Sequence, residues 1–298
     1  MTGSGPILLD GGMGRELQRR GLASVSGTWS AEALLAQPSV VRDIHKDFIA
    51  AGAEVITTSN YAVVPFMLAR SGLEDRMEVM LAASVRLARK ARAEAGRPEV
   101  RIAGSLPPLA QSYRPELVGP PEEIEPLYRR IAAALAPGVD LFICETMSSG
   151  AEARSAAVVA AEFNKPVWVA WSLDDEVTGR LRSGESPCEA VAALEGLPVE
   201  AFLFNCCVPE AVSAALPALR DATVCPVGAY ANALTGFQSD YEIGGEGGEG
   251  GETPARADLG PAAYARFAAE WRAMGADILG GCCGIGPDHI AELRNRLL

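Results

Sequence analysis

The sequence predicts one closed barrel of eight parallel β-strands, each followed by an α-helix. Short apolar, β-branched runs alternate with alanine-rich stretches of helical period, and the alternation repeats eight times along the 298 residues. The strand candidates are apolar throughout, as in parallel strands that helices cover on both faces. An open doubly wound sheet is the main competitor, but the DGGMG segment after the first strand lacks the G-x-G-x-x-G spacing of that class. We therefore predict a (β/α)₈, or TIM, barrel with its active site at the carboxyl ends of the strands.

The elements follow one another in a regular order. Each strand candidate is a short apolar run, and each helix candidate is the longer stretch that separates it from the next run. The strands are ILLD (7–10), EVITTS (54–59), RIAGSL (101–106), LFICE (141–145), PVWVAWSL (166–173), AFLFNCC (201–207), TVCPVGAY (223–230) and ADILGGCC (276–283). The helices are centred on 38–51, 74–95, 122–136, 149–163, 187–195, 209–219, 261–273 and 287–298.

One segment departs from this alternation. GGEGGEGGE (244–252) has nothing to bury, so we expect a mobile acidic loop between the seventh strand and the seventh helix. We interpret it as a solvated insertion, with a lid over the barrel mouth as the alternative. Residues 1–298 are otherwise predicted to form a single domain.

Composition and charge exclude several classes of function. The formal net charge of -12 and the absence of a basic cluster argue against nucleic-acid binding, which needs Lys and Arg to neutralise phosphates. The start of the chain lacks the features of a signal peptide, and no stretch is long and apolar enough to suggest a membrane span. We therefore expect a cytoplasmic protein that acts on small molecules.

The seven cysteines indicate thiol or metal chemistry rather than a disulfide framework, because their number is odd and the chain is large. Three of them lie outside strand ends and are predicted to be packing residues: Cys144, Cys188 and Cys225. The remaining four, Cys206, Cys207, Cys282 and Cys283, stand at the ends of the sixth and eighth strands.

Polar and reactive residues end most of the predicted strands, and barrel closure should bring them to one rim. They are Asp10, Asn60, Tyr61, Ser105, Glu145, Asn205, Cys206, Cys207, Tyr230, Asn232, Cys282 and Cys283. Cysteines from strands six and eight would meet there as a three-ligand Zn²⁺ site with one open position. The glycines at 280, 281 and 284 would let the chain turn so that both neighbouring thiols face one metal. Cys207 is ambiguous, because strand alternation turns it away if Cys206 faces the ion.

Longer stretches of the chain resemble the homocysteine S-methyltransferase family. They are LLDGGMGREL, GTWSAEALL, GAEVITTSNY, CET, FNC and GGCCGIGPDHI, and they extend over almost the whole chain. The resemblance implies that Cys206, Cys282 and Cys283 bind zinc. It also implies that Asp10 and Glu145 bind the amino group of homocysteine, with the backbone at Gly11 and Gly12 close to the substrate. Asn205, within FNC, is taken as a further substrate-binding residue.

Elementary chemistry agrees with those implied roles. A thiol that enters the open zinc position is deprotonated, which creates the nucleophile for methyl transfer from a cationic donor. Two carboxylates can bind an ammonium group through charge-assisted hydrogen bonds. For Asp10 and Glu145, the alternative is a structural salt bridge or cap.

The methyl donor is a separate question. Trp29 and Tyr61 match donor-side positions of the betaine-using branch and could contact a cationic methyl group through their rings. Aromatic residues of that branch are replaced here by Thr146 and Asn60, which favours S-methylmethionine or S-adenosylmethionine over betaine or dimethylsulfoniopropionate as the donor. Core packing is the alternative for Trp29.

Other classes of function remain open at this point. A thiol redox protein would use the same cysteines, although no C-x-x-C motif is present, and a non-catalytic zinc-binding barrel would bind metal without turnover. His45 and His289 are predicted to be surface or packing residues rather than ligands. We expect a monomer or a homodimer.

Overall fold

The described part of the chain is a closed (β/α)₈ barrel, which confirms the predicted fold class. The computed structural model describes residues 5–22, 29–235 and 253–298, with only the backbone of Trp29, and the predicted loop at 244–252 lies outside the described residues. The strands are β1 Ile7–Leu8, β2 Val55–Thr57, β3 Arg101–Leu106, β4 Leu141–Met147, β5 Val167–Trp171, β6 Val199–Asn205, β7 Val227–Tyr230 and β8 Ile278–Leu279. All pair in parallel in the order β1-β8-β7-β6-β5-β4-β3-β2, and a parallel bridge between Leu9 and Val55 joins β1 to β2.

Helices surround this barrel in the predicted positions. They are α1 Met13–Arg19, α2 Trp29–Ala36, α3 Pro38–Ala51, α4 Pro65–Ala69, α5 Met77–Glu94, α6 Pro121–Leu135, α7 Gly150–Ala161, α8 Pro187–Ala192, α9 Pro209–Ala222, α10 Pro261–Ala273 and α11 Pro287–Leu297. Seven of these helices in the described part of the chain begin at a proline, whose fixed φ and missing N–H suit the first helical position. The sequence reading missed α1, α2 and α4, which have only 7, 8 and 5 residues.

Two apolar layers hold the barrel together. The helices pack on its outer surface, and a second set of side chains fills its interior: Leu9, Val55, Ala103, Leu141, Ile143, Trp168, Ala170, Ala201, Leu203, Tyr230 and Ile278. Because the interior is filled, the reacting groups can only lie at its mouth, above the carboxyl ends of the strands. No helix in the described ranges is both long and apolar enough to cross a bilayer.

The cysteines predicted to be packing residues have different environments. Cys144 is fully buried in β4, as predicted. Cys225 is half-buried, and its Sγ lies 3.7 Å from the carbonyl oxygen of Val199. The prediction for Cys188 was wrong: it is exposed, because the short helix α8 turns Pro187 and Ala190 inward instead.

Both histidines are structural, as predicted. His289 is buried and accepts a hydrogen bond from the Gly286 N–H at 3.2 Å, and its other nitrogen lies 3.1 Å from the carbonyl oxygen of Leu259. His45 on α3 is fully buried, and neither ring nitrogen has a hydrogen-bond partner among the described residues. A buried polar group without a partner costs stability, and more so when it becomes charged.

His45 predicts a pH-dependent loss of stability. Burial lowers its pKa to about 4, whereas the unfolded side chain has its ordinary value of about 6.5. The pKa of His45 is lower in the folded state than in the unfolded state. Its contribution to the unfolding free energy is therefore complete above the unfolded-state pKa and is lost as the pH falls towards the folded-state pKa. Going from about pH 7.5 to about pH 5, we expect wild type to lose about 2 kcal/mol more unfolding free energy than His45→Leu. Urea unfolding of both proteins at the two pH values measures the difference, and parallel pH profiles would contradict it.

Candidate metal and substrate site

The strand ends bring three cysteines together at the mouth of the barrel. The Sγ atoms of Cys206, Cys282 and Cys283 all lie within 4.8 Å of one another, and no cysteine, histidine, aspartate or glutamate forms another such cluster in the described residues. The Sγ of Cys283 is 3.9 Å from that of Cys206 and 4.0 Å from that of Cys282. Cys207 is fully buried among the helix-facing residues and does not join them. The cluster therefore offers three ligands to a metal ion.

Cys206 reaches the cluster through an unusual backbone conformation. It follows the last residue of β6 with a φ of 50°, in the left-handed region that non-glycine residues rarely adopt. Its N–H bonds to the Tyr230 carbonyl oxygen at 3.3 Å, and its own carbonyl accepts from the Ser172 hydroxyl at 3.2 Å. These bonds hold the strained residue in place, which is typical of functional positions.

Cys282 and Cys283 lie in a tight turn after β8. The Ile285 N–H bonds to the Cys282 carbonyl oxygen at 3.1 Å, and Gly284 has a φ of 85°, which a turn of this kind assigns to glycine. Gly281 also allows this turn, as predicted, because a Cβ there would lie 2.0 Å from the Cγ2 of Ile285. At Gly280 a Cβ would lie 2.5 Å from the Cβ of Leu9, so close packing against β1 explains that glycine.

Gly11 and Gly12 allow the loop after β1 to lie against the same turn. A Cβ at Gly11 would come within 2.2 Å of the Ile285 carbonyl oxygen, and one at Gly12 within 2.6 Å of the Cys282 carbonyl oxygen. The Gly12 N–H itself bonds to the Ile285 oxygen at 2.9 Å. The two glycines thus support the backbone that carries the thiols.

The thiol cluster favours negative charge at one of its members. Hydrogen bonds from the thiols of Cys206 and then Cys282 hold the pKa of Cys283 well below its usual range. Three sulfurs at these distances can all be ionised only beside a cation, because adjacent thiolates repel one another. Metal binding and ionisation of the cluster are therefore coupled.

Two carboxyl groups lie at the same rim. Asp10, just beyond β1, accepts hydrogen bonds from the Thr57 N–H at 2.8 Å and from its hydroxyl at 3.3 Å. Burial raises the pKa of Asp10 to about 8. The hydrogen bond from the Thr57 N–H acts in the opposite direction, and the charge of the nearby Glu145 raises the pKa further. A carboxyl whose charge is disfavoured by burial and by a neighbouring carboxyl is suited to binding a cation.

Glu145 is the second carboxyl. Its side chain accepts hydrogen bonds from the Ser105 hydroxyl and from the Tyr230 hydroxyl, the latter at 3.4 Å. Burial raises the pKa of Glu145 to about 7. A register shift in β4 after Cys144 and a φ of 60° at Thr146 mark a bulge at this point, which redirects side chains at functional positions.

Asn205 supports this bulge. Its amide oxygen accepts from the Thr146 N–H at 2.9 Å, and its amide nitrogen donates to the Thr146 hydroxyl at 2.8 Å. Asn205 is fully buried, and both of its side-chain hydrogen bonds go to Thr146, the residue after Glu145.

The donor-side candidates are only partly described. Tyr61 is half-buried, and its hydroxyl lies 2.6 Å from that of Ser112. Asn60 is fully buried, accepts from the Thr58 hydroxyl at 2.6 Å and donates to the Ser105 carbonyl oxygen at 3.0 Å. The side chain of Trp29 lies outside the described residues.

Sequence reasoning missed Tyr113, which contacts one of the thiols, and the ion pair that packs against it. Tyr113, in the loop after β3, places its hydroxyl 3.1 Å from the Sγ of Cys206. The Arg182 guanidinium lies 5.0 Å from the centre of the Tyr113 ring and pairs with Asp175 at 2.6 Å. These loop residues belong to no motif, and Tyr113 stands 93 positions from Cys206.

Comparison with known proteins agrees with this geometry. The family model described as homocysteine S-methyltransferase matches residues 7–297. The chain belongs to the homocysteine S-methyltransferase family. The Escherichia coli K12 homocysteine S-methyltransferase is 32% identical over 97% of this chain and 94% of its own length. The metallated crystal form of the homocysteine methyltransferase MmuM from Escherichia coli superposes with a TM-score of 0.82 at 30% identity, covering 98% of this chain and 96% of that one.

The family resemblance inferred from the sequence is therefore confirmed, and the protein is a methyltransferase enzyme. A selenocysteine methyltransferase from Astragalus bisulcatus is also similar, at 28% identity over 95% of this chain and 90% of its own. As a homocysteine S-methyltransferase, this barrel has its thiol cluster and its two carboxyls on one rim, where a small substrate could contact both.

Proposed function

We propose that the enzyme transfers a methyl group from S-methylmethionine or S-adenosylmethionine to the thiol of homocysteine, forming methionine, at a zinc ion bound by Cys206, Cys282 and Cys283. The observation that carries this proposal is the cluster of three cysteine sulfurs beside two carboxyls at the barrel mouth. We also propose that residues 1–298 form a single homocysteine-binding barrel domain.

The cysteines fit zinc by distance as well as by chemistry. Thiolate ligands lie about 2.3 Å from tetrahedral zinc, which places them about 3.8 Å from one another. The Sγ separations of 3.9 and 4.0 Å agree with that spacing. Three protein ligands leave a fourth position open, as in catalytic rather than structural sites. Zinc bound there would lower the pKa of the homocysteine thiol and hold it as the thiolate nucleophile.

The chain's own residues orient the substrate. We place the homocysteine ammonium group between Asp10 and Glu145, whose pKa values are raised chiefly by burial. An ammonium group would lower both pKa values and form charge-assisted hydrogen bonds with the two carboxylates. Thr57 fixes Asp10, and Ser105 with Tyr230 fixes Glu145. In this scheme Asn205, Gly11 and Gly12 act indirectly, through the backbone that carries Glu145 and the thiols.

The donor side favours a bulky onium compound. We propose that the aromatic rings of Tyr61 and Trp29 contact the cationic methyl group of the donor. Thr146 and Asn60 use their polar groups in internal hydrogen bonds, so neither adds an aromatic surface for a small quaternary ammonium ion. This arrangement supports S-methylmethionine or S-adenosylmethionine over betaine or dimethylsulfoniopropionate.

A donor panel tests the proposal directly. Zinc-loaded enzyme is mixed with homocysteine and each of the four donors, and methionine is quantified by mass spectrometry. We expect turnover with S-methylmethionine or S-adenosylmethionine to exceed that with the other two by at least about tenfold, the discrimination expected of a shaped pocket. Higher turnover with betaine would overturn the donor assignment. Bound zinc with four inert donors would instead favour the non-catalytic barrel. A cytoplasmic location and a monomeric or homodimeric state stay predictions from the sequence.

A further inference from the structure

Tyr113 makes a hydrogen bond to the sulfur of Cys206, one of the three proposed zinc ligands. The Tyr113 hydroxyl is 3.1 Å from the Cys206 Sγ, and both residues are buried. An ionised sulfur has no proton, so Tyr113 must donate this bond whenever Cys206 is a thiolate. Both residues have a positive φ, 68° for Tyr113 and 50° for Cys206. Two residues with disfavoured backbone conformations therefore meet at this contact, which is typical of functional positions.

Arg182 fixes the position of the Tyr113 ring. Its guanidinium covers one face of the ring at 5.0 Å, and its ion pair with Asp175 is almost fully buried, with each side chain 7% exposed. Asp175 also accepts the Val208 N–H at 2.8 Å, which ties the pair to the start of α9. This buried cation–π contact holds the Tyr113 ring, and with it the hydroxyl, in a fixed place. It also makes that face unsuitable for a cationic donor.

The contact lies on the proposed donor side. Ser112, the residue before Tyr113, is the partner of the Tyr61 hydroxyl at 2.6 Å. The consecutive residues Ser112 and Tyr113 therefore connect the Tyr61 hydroxyl to the sulfur of a proposed zinc ligand. A methyl donor placed beside Tyr61 would have two kinds of thiolate within reach, that of homocysteine and that of Cys206.

We propose that Tyr113 is a positioning residue that protects the Cys206 sulfur from methylation by the enzyme's own donor, an inference that rests on the proposed function. In the unwanted reaction, a Cys206 lone pair attacks the methyl carbon and forms an S–C bond. The bond from that carbon to the onium atom breaks, and its electron pair leaves with the donor. The product is a neutral thioether, which binds zinc poorly. A donated hydrogen bond occupies the sulfur lone pair and lowers its nucleophilicity.

Methylation by a small reagent tests this without homocysteine or a natural donor. Zinc-loaded wild type and Tyr113→Phe are treated with iodomethane, and peptide mass spectrometry follows S-methylation at each cysteine. We expect methylation of Cys206 to be about three- to tenfold faster in Tyr113→Phe, with unchanged rates at Cys282 and Cys283. Zinc release, followed with a chromogenic chelator, should accelerate in parallel. The matched control is Tyr128→Phe, which removes another buried hydroxyl, 4.0 Å from the Met147 sulfur.

The outcomes are distinct. Equal rates at Cys206 in wild type and Tyr113→Phe would overturn the protective role. Faster methylation of all three thiols would also overturn it, because a general loosening of the site would then explain the effect. A wild-type protein that binds no zinc would overturn this inference together with the proposed function, whereas zinc-loaded protein with unchanged selectivity overturns the inference alone.

Discussion

Replacing Cys282 by serine is expected to remove bound zinc and abolish methyl transfer. A serine hydroxyl does not ionise as a thiol does, so the site would keep only two thiolate ligands. Loss of even an indirect partner of a metal ligand costs about 10- to 100-fold in affinity. We therefore expect zinc affinity to fall by more than about a hundredfold, measured by chelator competition and elemental analysis, with methionine formation below detection.

The matched control is Cys225→Ser. Cys225 is half-buried on β7's amino-terminal side, where its Sγ lies 3.7 Å from the Val199 carbonyl oxygen and outside the cluster. This variant should keep both zinc and activity. Thermal unfolding of the two variants checks that each remains folded. Stoichiometric zinc in Cys282→Ser would contradict the ligand assignment. Zinc loss in Cys225→Ser would show that zinc binding does not depend on the clustered cysteines alone.

Replacing Glu145 by glutamine is expected to raise the KM for homocysteine by about 30-fold or more, because removing one partner of a desolvated charge pair costs about 2–5 kcal/mol. Glutamine keeps the shape of the side chain, and its amide oxygen can still accept the Ser105 hydroxyl. The change therefore removes the charge with little loss of packing. Steady-state kinetics with a fixed, saturating donor measure the effect.

A substrate analogue separates charge recognition from general damage. 4-Sulfanylbutanoic acid has the thiol and carboxylate of homocysteine but no amino group, so it cannot use a carboxylate at Glu145. Wild type and Glu145→Gln should therefore have similar KM values for this analogue. An equal defect with both acceptors would contradict an ammonium-binding role for Glu145.

The same carboxyls predict the pH dependence of substrate binding. The pKa values of about 8 for Asp10 and about 7 for Glu145 lie above the ordinary range, so both groups are largely neutral below these values. A neutral carboxyl binds an ammonium group less strongly than a carboxylate does. The KM for homocysteine should therefore rise as pH falls through this range, whereas the KM for 4-sulfanylbutanoic acid should not follow it.

The sequence by itself determined the architecture. Eight apolar runs separated by helical stretches require a covered parallel sheet, and β3 and α10 have the predicted bounds, 101–106 and 261–273. Once the barrel is closed, the ends of its strands must meet at one rim. The sequence therefore predicted that Asp10, Glu145 and the cysteines lie close together. Periodicity and strand-end position are local properties, and a sequence displays them directly.

Only the tertiary structure decided how the site is supported. Contacts between strands determine the left-handed conformation of Cys206, the bulge at Thr146 and the hydrogen bonds from Asn205 to Thr146. Tyr113 contacts Cys206 because the loops after β3 and β6 meet across the mouth, which no local pattern records. The exposure of Cys188 likewise follows from which face α8 packs. Conformation at a strand end and contacts between loops result from long-range packing, so they are fixed only when the whole barrel has closed.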